Sequence, residues 1–177
     1  MTQVSRSSQG LSLLDQLYFG YFVSHIPITL LVDVVPLFPS ERIPSFMLGL
    51  NRFLTQQLND PFMVIGTTRS DMTWFRSLLA CELVFQLPFF FYAAYAIWNG
   101  SSRRHAPLLV YGTHVSTTMV PVLGMLAFGD IGRTFNQRLM LAGLYLPYLL
   151  IPLSMVIVSF KQCAKAIAET QAKKKSD

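Results

Sequence analysis

The sequence predicts an all-α membrane protein, folded as a bundle of four transmembrane helices, and three observations lead to this fold class. Apolar residues make up 52% of the 177 residues, and charged residues make up only 13%. A soluble domain usually carries about 25% charged residues, so the composition favours burial in lipid. The apolar residues are also gathered in four runs, each reaching the roughly 20 residues that a helix needs to cross a bilayer core.

The four runs set the predicted domain organisation. The predicted spans are 13–37, 74–98, 107–128 and 138–160. Trp74 and Trp98 flank the second span, as expected for aromatic side chains at a membrane interface. We therefore predict one membrane domain over residues 1–177, which ends in a cytosolic lysine-rich tail, 161–177.

Prolines lie inside every predicted span: Pro27, Pro88, Pro121, Pro147 and Pro152. In a soluble helix each would be costly, because proline removes a backbone donor. In a membrane bundle, neighbouring helices and hydroxyl side chains satisfy the freed carbonyls. The prolines therefore predict kinked helices with space between them.

The distribution of lysine and arginine predicts that both termini face the cytosol. Eight of the 14 basic residues lie on the side of the termini and the second loop, and six on the other side. The short second loop carries Arg103 and Arg104 without an acid, and the tail carries five lysines against Glu169 and Asp177. Cytosolic loops are enriched in basic residues, so this side is assigned to the cytosol.

The C-terminus predicts a cellular location. Lys174 and Lys175 stand four and three places from the end, counting the last residue as one, and match the KKxx pattern by which coatomer retrieves proteins to the endoplasmic reticulum. The alternative is a solvated lysine tail attracted to anionic lipid. We expect an endoplasmic-reticulum membrane protein with coatomer as a partner.

The loop between the first two spans predicts a short amphipathic helix on the membrane surface. Its apolar residues recur at helical spacing: Phe46, Leu50, Phe53, Leu54 and Leu58. The turn sequence Asn59-Asp60-Pro61 then ends the helix.

Several function classes are disfavoured. The net charge of +5 comes from a tail and short loops rather than from one basic face, so nucleic-acid binding is not expected. Cys81 lies in an apolar span and Cys163 in the basic tail, so no disulfide is expected. The histidines lack the close pairing with a second strong ligand that zinc sites show, and no metal or cofactor is expected.

Each predicted span carries a polar stripe: His25, Thr29 and Asp33; Glu82 and Gln86; Tyr111, His114 and Thr118; Tyr145 and Tyr148. Residues three or four apart share one helix face, so the economical arrangement turns all four stripes inward. The alternative for Thr29, Gln86, Thr118 and Ser116 is hydrogen bonding between helices. For His25 and His114 the alternative is packing.

The two acids carry the chemical argument. Asp33 and Glu82 lie inside spans that hold no lysine or arginine, which predicts an acidic cavity without an internal counter-ion. We expect a protonated Glu82 to donate to an ionised Asp33. Such a pair attracts an amphiphilic cation or stabilises positive charge developing on a sterol-like substrate, with tyrosine faces adding cation–π contacts.

Four segments resemble the EXPERA family of membrane proteins, which includes sterol isomerases: YFVSHIPITLLVD (21–33), CELVFQLPFF (81–90), VYGTHVSTTMVP (110–121) and RLMLAGLYLPYLLIP (138–152). The resemblance covers all four spans in order. In the long first loop it is confined to NDPF, at 59–62. It implies a four-helix protein of the endoplasmic reticulum, often a homodimer, that binds cationic amphiphiles and oxysterols and acts in sterol homeostasis.

The resemblance also implies roles for individual residues. Asp33 resembles the acid that pairs with a ligand amine, and Glu82 and Gln86 resemble its supporting groups. Asp60 resembles a second acid implicated in ligand binding, for which a structural turn role is the alternative. The remaining pocket positions implied are Tyr111, His114, Thr118, Tyr145 and Tyr148.

The resemblance leaves three functions in view. The leading one is a receptor for cationic amphiphiles and sterols, without catalysis. The isomerase members use a histidine and glutamates, whereas the third span here offers His114 but no acid. The alternatives are an isomerase-like proton shuttle through Glu82, Asp33 and His114, or a factor that handles mitochondrial precursor proteins at the reticulum surface, as linked to fungal relatives.

Overall fold

The computed structural model describes residues 11–64 and 72–176, and this part of the chain is built from α-helices without a β-strand. The α-helices are α1 Leu13–Ile28, α2 Ser45–Leu58, α3 Thr73–Cys81, α4 Leu87–Trp98, α5 His105–Phe128, α6 Phe135–Tyr145 and α7 Pro147–Ser176. Four of the charged residues used to predict orientation lie outside the described residues: Arg6, Arg69, Asp71 and Asp177.

Four helical stretches of the described chain are long and apolar enough to cross a membrane, which confirms the predicted number. They are Leu13–Leu37, Thr73–Trp98, Ser102–Phe128 and Phe135–Ser176. The second joins α3 to α4, and the fourth joins α6 to α7. α7 alone has 30 residues and is about 45 Å long, so it extends beyond a bilayer core of about 30 Å.

Two spans contain a π-helical turn, Thr29–Asp33 after α1 and Glu82–Gln86 between α3 and α4. In the first turn the Val34 amide donates to the Thr29 carbonyl at 3.0 Å, a bond that spans five residues instead of four. Each turn lies within a few residues of a proline, Pro27 or Pro88, whose missing amide frees a carbonyl of the regular helix. Such single wide turns are frequent at functional sites, and both predicted acids lie on them.

The bundle is held by two buried apolar clusters. The first gathers residues of α1, α4, α5 and α7, such as Phe22, Phe90 and Met155. The second gathers residues of α3, α5 and α6, such as Phe75 and Leu141, with Phe62 from the segment after α2.

Helices α5 and α7 approach each other closely at Gly112. A Cβ atom added at Gly112 of α5 would lie 2.6 Å from the Pro152 carbonyl oxygen and 2.9 Å from Cγ2 of Val156. No side chain larger than hydrogen fits there without moving the α7 backbone. Glycine at this position therefore sets the separation of the two helices.

The predicted helix of the first loop exists as α2, and it ends where the turn sequence predicted. Asn59 caps it in the left-handed conformation, with φ of 53°. Its apolar residues divide between two faces. Leu54 and Leu58 line a cavity inside the bundle, whereas Phe46 and Phe53 are exposed. α2 therefore covers one end of the bundle, which we call the α2 end, in addition to presenting an apolar outer face.

The opposite end carries the basic residues of the second loop and of α7. There Nη2 of Arg104 lies 2.8 Å from Oδ1 of Asp15 and links the start of α5 to the start of α1. We call this end the tail end. It is marked by Asp15, by the connection 99–104 and by Lys161. It is the end predicted to face the cytosol.

Candidate functional site

A cavity of about 280 Å³ lies inside the bundle between the two apolar clusters. All four spans and α2 contribute to its wall. Most of the wall is apolar, with Val32, Leu79, Val115 and Met119 among its residues. Its volume is near the lower end of the range found for small-molecule sites, about 300–1,000 Å³.

The two predicted acids meet at this cavity. Asp33 and Glu82 both line it, so their carboxyl groups share one buried space. Two carboxyl groups that share a buried site repel each other when both are ionised, which favours a state in which one of them holds a proton. The two acids thus converge on one cavity, and the hydrogen bond expected from Glu82 to Asp33 stays a prediction.

Thr29 completes the acid pair. Its hydroxyl Oγ1 donates to Oε1 of Glu82 at 2.6 Å, and the side chain is 1% exposed. Thr29 does not itself line the cavity. It therefore acts as a hydrogen bond between helices, one of the two alternatives that the sequence left open.

No lysine or arginine lines the cavity among the described residues. A carboxylate in a low-dielectric cavity without a counter-ion attracts a cation strongly. A ligand with one amine and an apolar body would pair its charge with Asp33 and Glu82. The same ligand would bury its body against the aliphatic wall.

Asp60 lies at the α2 end of the cavity with both carboxyl oxygens engaged. Oδ1 accepts the Phe62 amide at 2.8 Å, and Oδ2 accepts the Tyr145 hydroxyl at 2.7 Å. Arg133 braces the same turn by donating from Nε to the Asn59 carbonyl at 2.7 Å. These contacts tie the turn after α2 to α6.

The environment of Asp60 perturbs its titration. Burial raises the pKa of Asp60 above its ordinary value, and the hydrogen bonds from Tyr145, Phe62 and Met63 oppose that rise, as does the nearby charge of Arg133. The side chain is 4% exposed. Desolvation outweighs the favourable contacts here, so Asp60 binds its proton more tightly than a free aspartate.

An aromatic group forms the tail-end side of the cavity. The His25 ring lies 4.1 Å from the Tyr21 ring and 4.9 Å from the Tyr148 ring, measured between centroids. His25 Nδ1 is 2.7 Å from the Tyr21 carbonyl oxygen, which can only accept, so Nδ1 carries a hydrogen. Packing and this bond hold the His25 ring in place, and all three rings line the cavity.

Of the ten ligand-binding residues predicted from the sequence, eight line the cavity: His25, Asp33, Asp60, Glu82, Gln86, Thr118, Tyr145 and Tyr148. Tyr111 does not line it. Its hydroxyl lies 3.1 Å from the Tyr21 hydroxyl, one layer behind the wall, in the first apolar cluster. It supports the aromatic group from outside.

His114 also lies outside the cavity, and its side chain is exposed on the outer surface of α5. In an α-helix, position 114 is turned by about 100° from 115 and by about 40° from 118, the two nearest positions of α5 that line the cavity. The exposed His114 thus lies beside the cavity wall rather than within it. The i, i+3 spacing to Tyr111 was too coarse to separate the two faces.

Several residues of the cavity wall were not predicted from the sequence. Tyr21 belongs to none of the predicted polar stripes, yet it is 7% exposed and lines the cavity. Leu54 and Leu58 were assigned to a surface helix. Leu54 and Leu58 follow Leu50 by four and eight residues, and this spacing predicts that they share one face of the helix. It does not indicate which part of the protein or membrane that face contacts.

The described residues do not place three or more His, Cys, Asp or Glu side chains where they could hold a metal ion. Two of the acids that line the cavity instead accept hydrogen bonds, Asp60 from Tyr145 and Glu82 from Thr29.

Comparison with known proteins gives a consistent result. The model of the EXPERA family, the expanded EBP superfamily, matches residues 46–159. The chain is 36% identical over 165 residues to Sigma intracellular receptor 2 of Homo sapiens, covering 87% of this chain and 91% of that protein. The protein of the same name from Xenopus tropicalis is 37% identical over 153 residues, covering 82% and 86%.

A second group of relatives comes from yeast. Efficient mitochondria targeting-associated protein 19 of Saccharomyces cerevisiae is 30% identical over 160 residues, covering 81% of this chain and 96% of that protein. The two groups of relatives carry different names, one a receptor and the other a factor in mitochondrial targeting.

Proposed function

The chain belongs to the EXPERA family, and on that premise we propose that it is a membrane receptor for amphiphilic cations and sterols, bound in the acidic cavity of the bundle. One observation carries the proposal: Asp33 and Glu82 form a carboxyl pair in a largely apolar cavity that no described lysine or arginine lines. The name of the similar vertebrate proteins, Sigma intracellular receptor 2, supports a receptor.

The proposed binding mode divides the ligand between two parts of the cavity. The amine pairs with Asp33, with Glu82 and Gln86 beside it, and its aromatic neighbours are His25 and Tyr148. The apolar body or a sterol ring system lies against the aliphatic residues, among which Thr118 offers a hydroxyl. Asp60 and Tyr145 close the α2 end; because both oxygens of Asp60 are occupied, its role is structural.

Binding of a labelled cationic amphiphile to the purified protein tests the proposal. Asp33→Asn should weaken binding by about thirtyfold or more, because losing one partner of a buried charge pair costs at least about 2 kcal/mol. The matched control is Asp130→Asn, which removes an exposed carboxylate near the same end of the bundle. Unchanged affinity in Asp33→Asn, or an equal loss in the control, would reject the site.

A sterol arm of the same experiment addresses the second ligand class. An oxysterol should compete with the labelled amine, since both are proposed to occupy one cavity. Simultaneous binding of both ligands would contradict the shared site.

We place the receptor in the endoplasmic-reticulum membrane, with coatomer as the partner that retrieves it. Lys174 and Lys175 lie in the exposed last turn of α7, available to a cytosolic protein. Lys174→Gln together with Lys175→Gln should move the protein to later compartments in cells. The control, Lys161→Gln together with Lys173→Gln, removes equal charge and should remain in the endoplasmic reticulum. Retention of the Lys174 and Lys175 double variant in the reticulum would contradict the proposal.

A homodimer would explain the position of His114. Its exposed imidazole lies on a membrane-spanning helix, where a polar group facing lipid is costly. The neighbouring hydroxyls of Thr113 and Thr117 bond back to carbonyls of their own helix, but no hydrogen bond of His114 occurs in the described structure. We propose that this face of α5 meets a second copy. His114→Leu should leave the monomer intact and change the proportion of dimer measured in detergent.

The yeast relatives favour a second candidate function, assistance to mitochondrial targeting. This function would use the surface at the tail end. Import of mitochondrial precursors that stays normal after mutation of that surface would remove this candidate.

The isomerase alternative has less support. Its proton shuttle requires His114 beside Glu82 and Asp33, and His114 lies outside the cavity. Isomerisation of a Δ8 sterol by the purified protein would support the isomerase alternative.

A further inference from the structure

A second cavity lies at the tail end and is lined by different residues from the acidic cavity. Its volume is about 290 Å³. It is formed by residues 102–106, where α5 begins, and by the part of α7 from Gln162 to Glu169. None of its residues lines the acidic cavity. We call it the tail-end cavity.

Positive charge predominates in the tail-end cavity. Arg103 and Lys165 line it, together with the single acid Glu169. Lys165 Nζ lies 3.8 Å from Oε1 of Glu169, with the two side chains 72% and 67% exposed, so this ion pair is weak. Both cations are therefore available to an anion.

Buried polar atoms without partners gather at the same end. In the described part of the chain, four buried side-chain nitrogen or oxygen atoms lack a hydrogen bond, and three of them are Arg104 Nε, His105 Nδ1 and Ser159 Oγ. His105 lines the tail-end cavity, and Ser159 lies one helical turn from Cys163, which also lines it. Such atoms are rare in folded proteins and are commonly satisfied by a bound water, ion or ligand.

The position of the tail-end cavity relates it to the membrane surface. It lies where α5 enters its apolar span, at the end predicted to face the cytosol. Ala106 lines it, and Val110, one helical turn further into the span, is 70% exposed. An anion in the cavity would therefore sit at headgroup depth, directly above an apolar surface, and the cytosolic leaflet is the one rich in anionic lipid.

We propose that the tail-end cavity binds the phosphate group of an anionic phospholipid, held by Arg103 and Lys165, with an acyl chain lying along α5 at Val110. A free phosphate shares the anionic chemistry but does not use the apolar surface. The lipid is favoured because Ala106, which lines the cavity beside Arg103 and Lys165, and the exposed Val110 lie one helical turn apart on α5.

The test measures lipid binding to the purified full chain in detergent by native mass spectrometry. The probes are dioctanoyl phosphatidic acid, dioctanoyl phosphatidylcholine and inorganic phosphate. Phosphatidic acid should bind, whereas phosphatidylcholine and inorganic phosphate should each bind at least tenfold more weakly. Arg103→Gln with Lys165→Gln should weaken phosphatidic acid binding by roughly thirtyfold, because each basic residue near an anionic surface accounts for about fivefold.

The matched control is Lys161→Gln with Lys173→Gln. It removes the same charge from exposed positions of α7 that do not line the cavity, and phosphatidic acid binding should stay within about twofold. An equal loss in both double variants would overturn the site in favour of general charge attraction. Binding of phosphatidylcholine as tight as that of phosphatidic acid would overturn the requirement for an anion. Competition by inorganic phosphate at a concentration equal to that of the lipid would show that the cavity binds free phosphate rather than a phospholipid.

Discussion

Thr29 and Glu82 join the two π-helical turns of the bundle through a 2.6 Å hydrogen bond. The first turn carries Thr29 at its start and Asp33 at its end, and the second begins with Glu82. The bond therefore fixes the position of Glu82 against Asp33. The relative position of the two acids therefore depends on how the first two spans are aligned along each other at their π-helical turns.

Thr29→Val removes this hydrogen bond while keeping the shape of the side chain. Hydrogen bonds between membrane helices contribute about 0.6 kcal/mol on average and up to about 1.7 kcal/mol. We expect the free energy of unfolding to fall by about 1 kcal/mol and amine affinity to fall severalfold, since Glu82 loses its donor. Thermal unfolding in detergent and ligand titration measure the two effects.

Thr113→Val is the control for that experiment. The Thr113 hydroxyl is exposed and bonds to the Leu109 carbonyl of its own helix at 2.8 Å. Its loss should change stability by less than about 0.5 kcal/mol. If both variants lost the same stability and affinity, the bond between Thr29 and Glu82 would have no special role.

Asp60→Asn should flatten the pH dependence of stability. The pKa of Asp60 is raised by burial, so the folded protein holds this proton at pH values where the unfolded chain, with a pKa of about 3.9, has lost it. The contribution of Asp60 to stability is thus fully present below about pH 4 and is lost as pH rises through its folded pKa. Asparagine keeps an acceptor for the Phe62 amide but does not titrate.

The measurement is the melting temperature of wild type and variant at intervals between about pH 4 and pH 7. The difference between the two curves should shift in favour of the variant as pH rises. Asp130→Asn serves as the reference, since Asp130 is exposed. Parallel curves for wild type and Asp60→Asn would show that Asp60 does not titrate differently in the folded state.

Gly112→Ala should destabilise the protein although alanine favours helices. The added Cβ would lie 2.6 Å from the Pro152 carbonyl oxygen, and overpacking of this kind costs about 1–3 kcal/mol. Gly124→Ala in the same helix meets nothing within 4 Å and should be neutral or stabilising by up to about 1 kcal/mol. Equal melting temperatures for the two variants would contradict the close approach of α5 and α7.

The sequence predicted the four spans and the convergence of Asp33 and Glu82 because these follow from hydrophobic length and from the cost of charge in lipid. It did not predict the π-helical turns, since a wide turn depends on how the carbonyls freed by proline are satisfied by neighbouring helices. The outward direction of His114 was missed for a related reason. The spacing of three or four residues predicted a single polar face on α5, but this helix also carries polar groups on an exposed face.

Arg138→Met should lower stability because Arg138 caps the end of α5 from the start of α6. Its Nη1 donates to the Leu126 carbonyl at 2.8 Å and its Nη2 to the Gly129 carbonyl at 2.7 Å. Methionine keeps the aliphatic stem but leaves both carbonyls without these donors, which should cost about 1–3 kcal/mol. Arg52→Met, at an exposed position of α2, removes the same charge and should change stability by less than about 0.5 kcal/mol. Unfolding in detergent compares the two, and a loss of similar size in both would assign the effect to charge rather than to the cap.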